Sequence, residues 1–248
     1  MKHFLLCAFA LLSLASEAQT MTARDIIKKS EDHSRGNTLK GDMAMTIVRP
    51  KWSRDMEMRI WSKGNDYSLI MILAPARDKG TTFLKRKKEV WNWIPTLERN
   101  IKLPPSMMSQ SWMGTDFTND DLVRESSAID DYTHELKGDS MILERSCYRI
   151  VMTPKPQAAV VWSKVIVYID KKDFMQMRTE FYDEDNIMIS VLVSSEIKIL
   201  GGRFMPSVLQ MIPLDKKGHK TIITYKSLTF DEPIDDNFFT TQNMRQPR

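Results

Sequence analysis

The sequence predicts a mainly β protein built as one curved antiparallel sheet in a single domain. Apolar and polar residues alternate along most of the chain, which is the period of half-buried strands. The strands follow one another through links of hairpin length, which indicates a meander rather than β-α-β units. So large a twisted sheet must curl, and the strand pattern leaves both a closed barrel and an open half-barrel possible.

The first 18 residues have the features of an export signal. A short basic start precedes an uncharged apolar run over residues 4–14, and small residues then lead to Ala18. We predict cleavage after Ala18, so that residues 1–18 are a signal peptide and residues 19–248 form the mature domain. The apolar run is about half the roughly 20 residues of a spanning helix, and Cys7 lies inside it. We therefore expect a soluble periplasmic protein without an attached lipid.

The mature chain is predicted to begin with one helix and to continue as two sets of strands. The helix covers residues 22–34, with Thr22 as its cap, Asp25 in its first turn and Gly36 after its end. A first set of strands is predicted around residues 43–47, 56–60, 67–73, 81–85, 90–95 and 99–103. Residues 106–127 have no clean period and indicate short helical turns and loop. A second set is predicted over residues 132–137, 140–152, 160–170, 174–182, 187–199, 204–213 and 220–230, with a turn at Gly138 and Asp139.

Composition and motifs argue against several functions. A net charge of +4 is too balanced to indicate nucleic-acid binding. The sequence lacks the Gly-x-Ser-x-Gly, His-Glu-x-x-His and glycine-rich phosphate-loop motifs, and His33, His134 and His219 fit no catalytic or metal spacing. Cys147 is expected to be a buried core residue. We predict no enzyme, no cofactor and no metal site.

Two charged groups allow more than one interpretation. Asp116, Asp120 and Asp121 lack the offsets of a calcium loop, so Asp116 and Asp120 are expected to cap turns. The basic run at residues 85–88 is either a solvated hairpin tip or a surface that attracts phospholipid headgroups or an acidic partner.

Methionine is abundant, with 18 residues in the chain. Flexible methionine side chains suit surfaces that accept apolar partners of varying shape. Several methionines and two tryptophans could project from one curved surface of the sheet: Met43, Met45, Met56, Met58, Met71, Trp91 and Trp93. The residues alone leave open whether this stripe lines a cavity or fills an ordinary core.

The centre of the chain resembles the outer-membrane lipoprotein-sorting proteins of the LolA-like superfamily. The resemblance is carried, in this order, by residues 79–84 (KGTTFL), 90–95 (VWNWIP), 99–101 (RNI) and 111–122 (SWMGTDFTNDDL), and extends loosely to residues 233–239. It implies an open half-barrel of curved antiparallel sheet, LolA/LolB-like, with short covering helices that shelter acyl chains. In the covering segment it implies a turn at Gly114, hydrogen bonds from backbone amides to Asp116, and a Phe117 ring that fills the hollow.

Together, the stripe and the resemblance define an expected set of lipid-binding residues: Met43, Met45, Met56, Met58, Met71, Phe83, Trp91, Trp93, Trp112, Met113 and Phe117. The expected function is a periplasmic carrier that moves a lipoprotein or lipid toward the outer membrane. Its expected partners are acyl chains and inner- or outer-membrane transport proteins, with no nucleic acid. A sensor or adaptor that detects lipid or mislocalised lipoprotein remains an alternative, and a secreted lipid hydrolase is a weaker one. The sequence decides neither the cargo nor the oligomeric state.

Overall fold

The computed structural model describes residues 21–124 and 128–247, so the predicted signal peptide and its cleavage site lie outside the described residues. Helix α1 spans Ala23–Arg35. The strands are β1 Thr38–Arg49, β2 Trp52–Lys63, β3 Tyr67–Ala74, β4 Thr82–Arg86, β5 Glu89–Ile94, β6 Arg99–Lys102, β7 Tyr132–Ile142, β8 Arg145–Pro154, β9 Lys164–Asp170, β10 Gln176–Tyr182, β11 Met188–Leu200, β12 Arg203–Pro213 and β13 Lys220–Phe230. Within the described ranges, no helix has the length and apolar character needed to cross a bilayer.

All thirteen strands form one antiparallel sheet in the order β6-β5-β4-β3-β2-β1-β13-β12-β11-β10-β9-β8-β7. Strand β1 pairs with β13 in the middle, and each half of the sheet is a meander of consecutive hairpins. Strands β6 and β7 are the two edges, and they do not pair with each other. The sheet is therefore an open half-barrel, which confirms the predicted fold class.

Residues 103–124 and 128–131 belong to a covering segment that follows from this topology. Strands β6 and β7 are consecutive in the chain but lie at opposite edges, so the link between them must cross a whole face of the sheet. Met108, Trp112, Phe117 and Val123 of this segment are buried in the same apolar cluster as the sheet residues they cover. We call the covered face the inner face and the opposite one the outer face.

Helix α1 packs on the inner face beside the covering segment. Its start is a capping box in which the Thr22 hydroxyl accepts from the Asp25 amide and the Asp25 carboxylate accepts from the Thr22 amide. Gly36 ends the helix with a φ of 61°, which glycine adopts without strain. Ile26 and Ile27 are the buried side chains that join the inner-face cluster. The predicted helix, its cap and its end are all confirmed.

One predicted turn is wrong. Gly138 and Asp139 do not divide two strands, because β7 runs through them with a register shift between Leu136 and Asp139. The left-handed φ of 88° at Gly138 accommodates this bulge. The hairpin turns instead at Leu143 and Glu144, which both have positive φ although neither is a residue type usual in such turns.

The outer face of β2–β5 is covered by the end of the chain. Phe239 and Met244 are fully buried against Trp61, Leu69 and Leu84, in a cluster separate from that of the inner face. The Lys63 ammonium fixes this terminal segment by donating to the Asp236 carboxylate at 2.6 Å. The sheet is therefore buried on both faces around Trp61, Leu69 and Leu84.

Candidate ligand-binding site

A cavity of about 260 Å³ lies on the inner face, over strands β9–β12. Apolar side chains of the sheet form its floor, and the opposite side is bordered by Phe117 of the covering segment and by five residues of α1: Ile27, Ser30, Glu31, Ser34 and Arg35. Leu192 is the central floor residue, since its register partners Thr179 of β10 and Met211 of β12 also line the cavity. The other apolar floor residues are Met152, Val165, Val167, Ile169 and Phe181.

One wall of the cavity is polar and is held by hydrogen bonds. Thr118 and Asp121 form a second capping box, in which the Thr118 amide donates to the Asp121 carboxylate at 2.8 Å and its hydroxyl accepts from the Asp121 amide at 3.1 Å. The Trp162 indole donates to the other carboxylate oxygen at 3.0 Å, and its ring packs on Phe181 with centroids 5.1 Å apart. These contacts join the covering segment to β10 at the edge of the cavity.

Burial raises the pKa of the Asp121 carboxyl above its ordinary value, although the hydrogen bonds from Trp162 and Thr118 act in the opposite direction. An acid with a raised pKa in the folded state favours folding at low pH and opposes it once ionised. We expect the stability of Asp121→Asn relative to wild type to improve as the pH rises from below the ordinary Asp pKa to neutrality. Urea unfolding across this pH range measures the difference, and a difference that is constant with pH would contradict the assignment.

The covering segment is fixed to the sheet by a buried ion pair at the ends of β1 and β13. The Arg49 guanidinium donates to the Asp116 carboxylate at 2.8 Å, and the two side chains are only 9% and 4% exposed. The Thr221 hydroxyl donates to the same carboxylate at 2.7 Å and accepts from the Asp116 amide at 2.9 Å. We call this group of Arg49, Asp116 and Thr221 the clamp.

Two backbone carbonyls extend the clamp along the covering segment. Arg49 donates to the Gly114 carbonyl at 2.9 Å, and the Arg54 guanidinium donates to the Met113 carbonyl. Gly114 has a φ of 78°, which confirms the turn predicted there. The prediction that Asp116 caps a turn or accepts from backbone amides is wrong, because its partners are the Arg49 and Thr221 side chains.

The predicted lipid-binding residues fall into three groups. Phe117 lines the cavity. Met43, Met45, Met56, Met58, Phe83 and Trp112 are buried in the inner-face cluster but do not border the cavity, and Met113 packs partly buried against them. The expectation of a single curved surface is wrong for Met71, Trp91 and Trp93, which lie on the outer face with Phe239 and Met244.

Sequence reasoning missed most of the cavity floor. Val165, Val167 and Ile169 alternate with Ile166 and Tyr168 along β9, so the spacing indicated two different faces. Both faces of this strand are apolar, however, and the alternation could not identify the one that looks into a cavity. The methionines instead indicated a site on β1 and β2, whose inner side chains are buried in one cluster with the covering segment.

Cys147, His33 and His134 are in contact with the core or with backbone carbonyls. Cys147 is buried as predicted, and burial raises the pKa of its thiol to about 11. The Nε2 atoms of His33 and His134 lie 2.8 Å and 2.6 Å from the carbonyl oxygens of Phe204 and Ala128. Among residues 21–124 and 128–247, no group of three or more His, Cys, Asp or Glu side chains is arranged to hold a metal ion.

Several solved structures have a similar fold. A DUF1329 family protein from Desulfovibrio piger ATCC 29098 is similar with a TM-score of 0.81 and 21% identity, over 90% of this chain and 97% of that one. A putative outer membrane lipoprotein-sorting protein domain from Vibrio parahaemolyticus has a TM-score of 0.80 and 20% identity, over 90% and 98% of the two chains. LolA superfamily protein NE2245 from Nitrosomonas europaea has a TM-score of 0.77 and 22% identity, over 90% and 99%.

The resemblance to the LolA-like superfamily is thus confirmed at the level of the fold. A family model that describes uncharacterized proteins matches residues 64–246, and the chain belongs to that family. No curated protein matches its sequence.

Proposed function

We propose that the protein is a periplasmic carrier that binds an acyl chain of a lipoprotein or another lipid in the inner-face cavity. The observation that carries this proposal is the position of the cavity, between an apolar sheet floor and a covering segment fixed by side-chain contacts. An apolar chain bound there is removed from water on both sides, which is the requirement for moving a lipid through an aqueous compartment. The protein acts by binding rather than by catalysis.

The size of the cavity bears on how a ligand enters. Its volume of about 260 Å³ is slightly below the roughly 300–1,000 Å³ of pockets that hold drug-sized ligands. We infer that a long acyl chain requires the covering segment to move away from β9–β12, with the clamp as the fixed end of that movement. The proposal includes export, with residues 19–248 acting as one domain, and delivery of the cargo to partners in the inner or outer membrane.

Replacing Leu192 with tryptophan tests the cavity directly. The larger side chain occupies the floor between Thr179 and Met211, so we expect the dissociation constant of a fluorescent fatty acid to rise by at least about tenfold, or about 1.4 kcal/mol. Titration of the purified variant with the fatty acid measures the effect. Circular dichroism and urea unfolding verify that the variant is folded.

Val193→Trp is the matched control. Val193 follows Leu192 in β11 and is also partly buried, but it pairs with Arg178 and Gln210 on the outer face. We expect its fatty-acid affinity to equal that of wild type. Equal affinities in the Leu192 and Val193 variants, with both folded, would show that the ligand does not occupy this cavity.

A further inference from the structure

Two turns meet at the end of the sheet where the clamp lies. The β1–β2 turn at Pro50 and Lys51 contacts the β12–β13 turn, since a Cβ atom added to Gly218 would lie 3.3 Å from Pro50 Cγ. The two turns are also linked through Arg49, which donates to the Lys220 carbonyl at 3.3 Å. They therefore form one continuous surface.

This surface is basic and includes an exposed aromatic residue. We define the basic rim as Lys51, Trp52, Lys216, Lys217 and Lys220, and it contains four lysines against the single carboxylate of Asp215 within the same two turns. Lys51, Lys216 and Lys217 are exposed, and in the described part of the chain none of the four lysines forms an ion pair. Their charges are not neutralised by the fold.

Trp52 lies at the junction of the basic rim and the clamp. Trp52 is 53% exposed, although most of the surface of a tryptophan is normally removed from water. Its register partner is Arg49, whose guanidinium lies 5.8 Å from the centre of the Trp52 ring. Tryptophan is enriched where a protein meets the interface of a bilayer, because one part of the ring is apolar and the indole N–H is polar.

We propose that the basic rim docks on the surface of an anionic phospholipid membrane. The prevalence of lysine over arginine among the free charges supports a membrane as the partner. Arg49 and Arg54 carry guanidinium groups, which suit directed paired contacts, and both donate to the covering segment. The free charges of the basic rim are all lysines, whose hydrated point charges suit a diffuse negative surface. Docking in this orientation would bring the clamp and the covering segment next to the bilayer. The proposal does not depend on which ligand the cavity holds.

Charge reversal at Lys216→Glu with Lys217→Glu tests the proposal by co-sedimentation of the purified protein with vesicles. We expect wild type to bind vesicles of phosphatidylglycerol and phosphatidylcholine and not vesicles of phosphatidylcholine alone. Loss of two lysines near an anionic surface should weaken this binding by about 30-fold or more. Trp52→Ala should weaken it as well, and added salt should abolish it because exposed charges are screened.

The matched control is Lys87→Glu with Lys88→Glu. These two exposed lysines lie in the β4–β5 turn at the opposite end of the sheet, beside the β2–β3 turn, where the Lys87 amide donates to the Asp66 carbonyl. We expect this control to bind vesicles as wild type does, and both double variants to keep fatty-acid affinity. The proposal is overturned if wild type does not prefer anionic vesicles, if the Lys216 and Lys217 variant retains binding, or if the control loses as much.

Discussion

Replacing Asp116 with alanine is expected to lower the free energy of unfolding by about 3–5 kcal/mol, because it leaves the buried Arg49 guanidinium without its counter-charge. The same change removes the acceptor of the Thr221 hydroxyl. Urea unfolding measures the loss. Amide hydrogen exchange should become faster over residues 110–120, since these residues are held to the sheet through the clamp.

The exposed pair of Lys226 and Glu57 is the control for this prediction. Its ammonium and carboxylate are 2.7 Å apart, but the two side chains are 47% and 52% exposed. Water and salt screen such a pair, so Glu57→Ala should cost no more than about 1 kcal/mol. A loss of similar size for Asp116→Ala would mean that the clamp contributes little to holding the covering segment.

A double replacement separates the ion pair from the packing around it. Arg49→Met with Asp116→Leu removes both charges at once, and a buried pair replaced by apolar residues is often close to neutral in stability. Arg49 also donates to the Val48 and Gly114 carbonyls, which lose a partner in this variant. We therefore expect the double variant to recover most, but not all, of the stability that Asp116→Ala loses.

The fold was predictable because its determinants are local. The period of two, the turn residues and the capping box at Thr22 each depend on neighbours within a few positions, and all of the predicted strand regions contain strands. The bulge at Gly138 was the exception. A glycine beside an aspartate resembles a hairpin turn, and only the pairing of β7 with β8 shows that the strand continues.

The site was less predictable because its determinants are distant in sequence. Arg49 and Asp116 are separated by 67 positions, and neither residue lies in a pattern that indicates a partner. Met71, Trp91 and Trp93 alternate correctly along their strands, but the side chains that cover their face are Phe239 and Met244 at the end of the chain. Alternation tells which residues share a face, and only the tertiary structure tells what covers that face.

The methionines of β1 and β2 provide a second large effect. Met45→Ala and Met58→Ala are each expected to lower the free energy of unfolding by about 2–5 kcal/mol, because a void remains where the side chain was packed. Met45 is 0% and Met58 2% exposed, and neither borders the cavity. Their register partners include Met56, Ile223, Met43 and Ile72, which are buried in the same cluster. Urea unfolding of each single variant measures the loss.

Met141→Ala is the control, since this methionine is 66% exposed at the end of β7 and its removal should change stability by no more than about 0.5 kcal/mol. Fatty-acid binding distinguishes a filled core from a second part of the ligand site. If Met45 and Met58 belong to the core, both variants bind the fatty acid as wild type does, provided that they are folded under the conditions of the titration. A small loss of stability combined with a clear loss of affinity would instead extend the ligand site from β9–β12 across to β1 and β2, as the methionine stripe first indicated.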